Sequence, residues 1–191
     1  YAAADSAPLG AAVTRDGTRL GLWAPTARNV ALCLYGGGDG AAESLTPLHR
    51  DTHTGAWSAS LPQDLSGRYY AYLVDVHVDG VGVVRNRVTD PYAISLTTDS
   101  RRGYIADLNS PRLRPAGWDT AAPRRVAAPT DTVIYELHVR DFSASDATVP
   151  PALRGKYLAF TLDDSSGLRQ LRALAAAGVT DVHLLPVFDF G

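Results

Sequence analysis

The chain has 191 residues, of which 46% are hydrophobic and 20% are charged, and its formal net charge is −2. This composition is ordinary for a globular protein of one large or two small domains, and the lack of a basic run gives no reason to expect a nucleic-acid surface. No apolar stretch approaches the roughly 20 residues that a membrane-spanning helix needs. Cys33 is the single cysteine, so neither a disulfide framework nor a cysteine-built metal site is expected.

The first half of the chain is a series of short β-type segments separated by turn residues. After a small lead-in at residues 1–8, Asp16-Gly17 and Asp79-Gly80 are typical hairpin turns. Strands are predicted at residues 9–14, 19–24, 29–35, 45–50, 56–61, 68–78 and 83–89. About seven strands with regularly spaced turns predict an antiparallel β-sandwich of immunoglobulin-like size, over residues 9–96.

A connector is predicted at residues 97–130, where prolines interrupt a sequence rich in Arg, Ala and Asp. Tyr104, Ile105, Leu108 and Trp118 give this segment apolar side chains, so we expect it to be ordered against its neighbours.

The third section, residues 131–191, has the pattern of one β-α-β unit. Its first strand lies in TVIYELHVRDFS, where apolar residues of both parities predict a strand covered on both faces. A helix follows at residues 168–177, with Ser165-Ser166 as caps and Gly178 as its end, and a second buried strand follows at residues 179–187.

Four segments resemble one family. They are RLGLWAPTARNVALCLY at residues 19–35, IYELHVRDFS at 134–143, LRGKYLAFT at 153–161 and VTDVHLLPVFDF at 179–190. The last three are similar to the start of the catalytic barrel in bacterial type I pullulanases, which are starch-debranching enzymes of the α-amylase family (glycoside hydrolase family 13). The first resembles carbohydrate-binding module family 48. The resemblance implies a multi-domain chain, with a sandwich followed by the first β-α-β unit of a truncated (β/α)8 barrel.

The resemblance also implies a function. A pullulanase cleaves α-1,6-glucosidic linkages in pullulan and branched α-glucans such as limit dextrin and glycogen, by a retaining mechanism. The carboxylates of that mechanism follow later barrel strands, whereas a complete barrel needs roughly 250 residues. No catalytic residue is therefore expected before Gly191, and the chain alone is predicted to be inactive.

Further expectations concern the parent protein. The chain begins at Tyr1 rather than Met, which suggests a processed or cut product. The resemblance implies a secreted or periplasmic bacterial enzyme, in which the remainder of the barrel accompanies this chain, either covalently or as a nicked partner. No cofactor is predicted, and calcium in the full enzyme is left open.

The candidate site residues are His138, Arg140, Asp141 and Asp189, which lie at or just past the predicted strand ends. In α/β barrels that end carries the chemistry. These side chains either contact sugar hydroxyls or pair with one another and the backbone at a crowded barrel rim. His183 is interpreted as a core histidine that could approach His138. No spaced third ligand accompanies the two, so no metal site is predicted.

The sandwich offers little sign of sugar binding. Family members that bind glycogen stack two loop tryptophans on glucose rings, and this chain has residues 36–38 (GGG) and 81–83 (VGV) at those places. Trp23 and Trp57 are interpreted as core residues. Two alternatives stay open: a non-catalytic glycogen- or starch-binding protein, and another α-amylase-family enzyme such as isoamylase or a branching enzyme.

Overall fold

The computed structural model of the chain describes residues 2–122 and 126–187. The chain divides between Ala116 and Gly117 into two compact units. We call residues 2–116 the sandwich unit, and residues 117–122 with 126–187 the second unit. Among the described residues, no helix has both the length and the apolar run that a membrane crossing requires.

The sandwich unit confirms the predicted all-β sandwich. One antiparallel sheet has the order β1-β2-β6-β5, and the other has the order β4-β3-β7-β8, with β9 on the free part of β7. The strands are β1 (Gly10–Thr14), β2 (Gly17–Trp23), β3 (Ala27–Tyr35), β4 (Ser44–Pro47), β5 (His49–Arg50), β6 (Ala56–Leu61), β7 (Tyr69–Val78), β8 (Gly82–Val88) and β9 (Gly103–Tyr104). Short 3-10 turns lie at Ala2–Ser6, Thr98–Ser100 and Pro111–Leu113.

Alternation along the strands builds the core between the two sheets. In β6, Trp57 and Ala59 are buried while Ser58 and Ser60 are exposed, as the period of two in a strand requires. The buried core consists of Leu20, Leu22, Ala27, Val30, Leu32, Leu34, Leu48, Trp57, Ala59, Tyr70, Tyr72, Val74 and Ile105.

The segment predicted as one strand at residues 45–50 is two strands in different sheets. β4 pairs with β3, and β5 pairs with β6. Leu48 lies between them and is buried in the core, with its N–H donating to the Val30 carbonyl at 2.9 Å. The chain crosses from one sheet to the other at this residue, a crossing that an unbroken β-type pattern does not reveal.

The first part of the predicted connector belongs to the sandwich unit. β9 pairs with β7, placing Gly103 opposite Tyr70 and Tyr104 opposite Tyr69. Ile105 is almost fully buried, and its backbone exchanges hydrogen bonds of 2.9 Å with the Arg68 carbonyl and the Gly67 N–H. A buried side chain and a paired backbone therefore hold this segment on the sandwich.

The second unit contains a parallel strand pair. β10 (Ile134–Leu137) and β11 (Asp181–Leu184) pair in register, with Glu136 opposite His183. Between them lie α1 (Val139–Ser143), 3-10 turns at Pro151–Leu153 and Tyr157–Thr161, and α2 (Ser166–Ala177). Further 3-10 turns lie at Trp118–Thr120 and Pro129–Asp131. As predicted, Ser165 caps α2, accepting the Leu168 N–H at 3.2 Å, and the helix ends at Gly178.

Burial differs from the strand patterns at Trp23 and in the second unit, and the expectation for Trp23 is wrong. Trp23 was expected in the core, but it is 44% exposed, because β2 ends there with its side chain at the rim of the sandwich. The strands of the second unit have the pattern of strands covered on both faces in a completed barrel, and in this chain Ile134 is 62% exposed and Val182 and Leu184 are also largely open. Among the described residues, too little chain packs against β10 and β11 to cover both of their faces.

Candidate functional site

The carboxyl end of β10 holds the first candidate residue. Leu137 is the last residue of the strand and is buried, and His138 then serves as the N-cap of α1. The His138 ring Nδ1 accepts the Asp141 N–H at 3.4 Å and lies 3.7 Å from Asp141 Oδ2. Both side chains are solvent-accessible. The structure thus brings two of the four candidates together, in a contact that also starts the helix.

Arg140 is placed by a neighbouring loop. Gly155 lies beside it with a φ of +70°, and a Cβ added there would approach Arg140 Cγ to 3.2 Å. The Gly155 N–H also donates to the buried Ser143 hydroxyl at 2.9 Å. A left-handed backbone and a close approach both require glycine, so the LRGKY segment is held against α1 at this residue.

The same segment reaches the end of the second strand. The Tyr157 hydroxyl donates to the Val187 carbonyl at 3.2 Å, and the rings of Phe142 and Phe160 stack with centroids 4.0 Å apart. The three segments HVRDFS, LRGKYLAF and LLPV therefore meet at one end of the parallel pair. Asp189 lies outside the described residues.

A cleft of about 430 Å³ opens beside this end of β10. His138, Asp141 and Phe142 line one part of it, and Gln170 and Leu171 of α2 line another. One of the two expectations was that strand-end side chains pair with one another, and His138 and Asp141 do so. Both residues still line the open cleft, so the contact leaves room for a ligand.

Glu136 and His183 form a pair that sequence reasoning missed. Glu136 Oε2 lies 3.0 Å from His183 Nδ1, and both side chains are more than half exposed. The interpretation of His183 as a core histidine is wrong, because its side chain is 65% exposed on a strand whose residues are all exposed. His183 contacts Glu136, its in-register neighbour on β10. The parallel register was the signal that could have found this pair.

No three His, Cys, Asp or Glu side chains within residues 2–122 and 126–187 are grouped closely enough to hold a metal ion.

In the sandwich unit, an arginine holds the loop at the first of the two positions where the family has a sugar-binding tryptophan. The buried Arg102 guanidinium donates to the carbonyls of Gly37, Asp39 and Gly40 at 2.8, 3.0 and 2.5 Å. It also lies 3.6 Å from the centroid of the Tyr35 ring. These contacts fix the glycine-rich loop on the connector, a role that the composition of the connector did not reveal.

Trp57 is a core residue, as predicted, and its indole N–H donates to the Ala24 carbonyl at 2.9 Å. At residues 81–83, the second position where the family has a sugar-binding tryptophan, Val81 and Val83 are exposed at the tip of the β7–β8 hairpin.

Two carboxylates of the sandwich unit have opposite electrostatic surroundings. The Asp75 carboxylate accepts hydrogen bonds from the Arg85 guanidinium at 2.6 and 2.8 Å, and these bonds lower the pKa of Asp75. Asp90 is buried and accepts hydrogen bonds from the Tyr70 hydroxyl at 2.7 Å and the Tyr92 N–H at 2.9 Å. Burial raises the pKa of Asp90, and the two hydrogen bonds oppose that rise.

Comparison with known proteins identifies the relatives of this chain. Residues 8–93 match carbohydrate-binding module 48, the isoamylase N-terminal domain. Over 96% of its length, the chain is 44% identical to the chloroplastic pullulanase 1 of Arabidopsis thaliana. Over 98% of its length, the chain is 43% identical to the pullulanase of Klebsiella pneumoniae. The crystal structure of the maltotriose complex of PulA from Klebsiella pneumoniae matches 98% of the chain with a TM-score of 0.90, at 41% identity.

The matches cover only part of each relative. The chain corresponds to 19% of the Arabidopsis protein, 18% of the Klebsiella protein and 21% of the crystallised chain. It therefore spans about a fifth of the length of the relatives that it matches. The family resemblance drawn from the sequence is confirmed: residues 8–93 match carbohydrate-binding module 48, and nearly the whole chain is similar to part of the pullulanases named above.

Proposed function

We propose that this chain is the N-terminal part of a starch-debranching glycoside hydrolase, which cleaves α-1,6 linkages in pullulan and related branched α-glucans. The observation that carries the proposal is the meeting of HVRDFS, LRGKYLAF and LLPV at one end of the β10–β11 pair. The pullulanase relatives and the maltotriose-bound neighbour support it. In this proposal, residues outside the sequence complete a barrel of which β10 and β11 are the first two strands.

The catalytic carboxylates belong to the completed barrel. A retaining glycosidase needs two carboxyl groups about 5 Å apart, on either side of the scissile bond. The carboxylates near the candidate site are already committed to local partners, since Asp141 contacts His138 and Glu136 contacts His183. We therefore expect no hydrolysis by the chain alone, and α-glucan and the rest of the barrel as its partners.

The test is a debranching assay combined with intact mass. The isolated chain, near 20.3 kDa, is expected to release no reducing sugar from pullulan. The full-length protein, or the chain co-expressed with the remaining barrel, is expected to release maltotriose. Activity of the isolated chain would contradict the proposed division of labour, and an inactive full-length protein would overturn the enzymatic function.

For the candidate residues, we propose that His138, Arg140 and Asp141 form part of the rim of the completed site. In the full-length enzyme, Asp141→Asn is expected to raise KM for pullulan several-fold while the melting temperature changes little. A lower melting temperature with unchanged KM would show that the residue acts only as part of the α1 cap. A matched control is Asp163→Asn, which alters an exposed carboxylate paired with Arg172 beside α2.

We further propose a secreted or periplasmic location, as the resemblance to bacterial type I pullulanases implies. Fractionation of the native host with an antibody against the sandwich unit tests it, and recovery in the cytoplasmic fraction alone would overturn it.

A further inference from the structure

Two exposed aromatic side chains line a second cleft, in the sandwich unit. Trp23 ends β2, and Tyr92 follows the last long strand of the sandwich, yet both line a cleft of about 940 Å³ together with Leu9 and Asp5. Trp23 is 44% exposed and Tyr92 is 51% exposed. The volume lies toward the upper end of the roughly 300–1,000 Å³ of small-ligand sites.

The Trp23 ring and the Tyr92 backbone are each held in place by a hydrogen bond. The Trp23 indole N–H donates to the Thr54 carbonyl at 3.0 Å, so its polar edge is anchored away from the cleft. The Tyr92 N–H donates to Asp90 at 2.9 Å. Gly10 packs against Tyr92 with a φ of +79°, and a Cβ there would lie 3.2 Å from the Tyr92 carbonyl oxygen. Surfaces ordered before binding lose less entropy when a ligand arrives.

The chemistry of the lining selects a class of ligand. Among the described residues that line the cleft, Asp5 is the single charged side chain, and Ala4, Ala7 and Leu9 are apolar. A lining whose described residues include no cation disfavours phosphate- or carboxylate-bearing ligands. Aromatic faces suit the C–H face of a sugar ring, and a carboxylate accepts hydrogen bonds from hydroxyl groups. A neutral oligosaccharide combines both requirements.

We propose that this Trp23–Tyr92 cleft is an accessory binding site for a short α-1,4-linked glucan chain. The proposal rests on the proposed function for its choice of α-glucan. The proposed site lies on the sandwich unit but does not include residues 36–38 or 81–83, the two loop positions where family members carry sugar-binding tryptophans. The site would hold a linear branch of the substrate while the completed barrel acts elsewhere.

The experiment is a titration of the 191-residue chain, followed by tryptophan fluorescence. Trp57 is buried, and Trp118 is exposed in the second unit, so a Trp118→Phe background makes Trp23 the accessible reporter. Maltoheptaose is expected to give a saturable change, and cellohexaose, with β-1,4 linkages, none. Tyr92→Ala keeps the backbone N–H to Asp90, and it is expected to weaken maltoheptaose binding by about three- to ten-fold.

Two further variants keep the test decisive. Asp5→Asn changes a residue of the short lead-in outside the core, and this variant is also expected to bind maltoheptaose more weakly. It tests the proposal even if near-UV circular dichroism shows that Tyr92→Ala does not fold. Val81→Ala, at the exposed hairpin tip, is the matched control and is expected to bind as the parent does. No saturable binding, equal binding of cellohexaose, or loss of binding in Val81→Ala but not in the cleft variants would overturn the proposal.

The outcome is separable from that of the proposed function. Absent binding together with full debranching activity of the complete protein would remove the accessory site and leave the enzyme. Cleft-dependent binding with an inactive complete protein would retain the site and favour the alternative of a glycogen- or starch-binding protein.

Discussion

The two units differ in where their apolar surface goes. In the sandwich unit, Leu20, Leu32 and Tyr70 are fully buried between two sheets that cover each other. In the second unit, no described residue of α2 is buried, and most of β10 and β11 is exposed. The unit made of short β-type segments therefore encloses a core, whereas the unit that carries the three barrel-like segments leaves most of its two strands exposed. A motif can be specific without a packed core around it, whereas a core needs apolar residues that alternate along the strands and enough residues to cover them.

The largest expected effect separates the two units by core substitution. Leu32→Ala removes a fully buried side chain and should lower the free energy of unfolding of the sandwich by about 2–5 kcal/mol, because it leaves a cavity. Leu184→Ala changes a side chain that is 39% exposed and should cost no more than about 1 kcal/mol. Urea unfolding of both variants measures the difference. Equal losses would contradict the contrast between the units.

The next effect concerns the connector. Arg102→Ala leaves three loop carbonyls without their donor and exposes the Tyr35 face, so we expect a loss of about 1–3 kcal/mol and faster amide exchange in residues 36–40. Arg101→Ala is the matched control, since Arg101 is exposed and pairs with Asp99 at 2.9 Å, and it should cost about 0–1 kcal/mol. Similar exchange in the two variants would show that the loop holds its own shape.

Acid should act on Asp75 and Asp90 in opposite directions. The folded pKa of Asp75 is lowered below the reference value of 3.8, so its stabilising contribution is present above that pH and is lost as the pH falls through the folded pKa. The folded pKa of Asp90 is raised above 3.8, so its contribution is present below that pH and is lost as the pH rises through the folded pKa.

The measurement is the urea midpoint between pH 3 and pH 7 for the parent chain, Asp75→Asn and Asp90→Asn. The deficit of Asp75→Asn relative to the parent should shrink toward pH 3. Any advantage of the parent over Asp90→Asn should instead grow toward pH 3. Parallel curves for the parent and both variants would show that neither carboxylate carries a pH-dependent share of stability.

Patterns of local origin predicted most of the fold. Short β-type segments between turn residues predicted β6 and β7, and capping residues predicted both ends of α2, because each of these signals depends on neighbours in sequence. The same rules missed the crossing at Leu48 and the guanidinium of Arg102, which depend on partners far along the chain. Trp23 was misjudged because its strand pattern is that of a core residue, and only the end of β2 places it at the rim.

The candidate site was predicted in part for the same reason. Strand-end position was enough to bring His138 and Asp141 together, since they are three positions apart in sequence, on one helical turn. The partner of His183 was not foreseen, because it depends on the register of β10 against β11. The predicted boundaries at residues 96, 130 and 131 stay predictions, as does the role of Asp189.

The smallest expected effect tests the open face of the second unit. Glu136 and His183 are 3.0 Å apart, with both side chains more than half exposed, and exposed pairs contribute about 0–1 kcal/mol. Glu136→Gln in the isolated chain should therefore cost no more than that, and a double-mutant cycle with His183→Gln should give a coupling that salt reduces. In a completed barrel the same pair would lose solvent, and removing one partner of a buried pair costs about 3–5 kcal/mol. A coupling that is small in both settings would mean that the rest of the barrel does not cover this face.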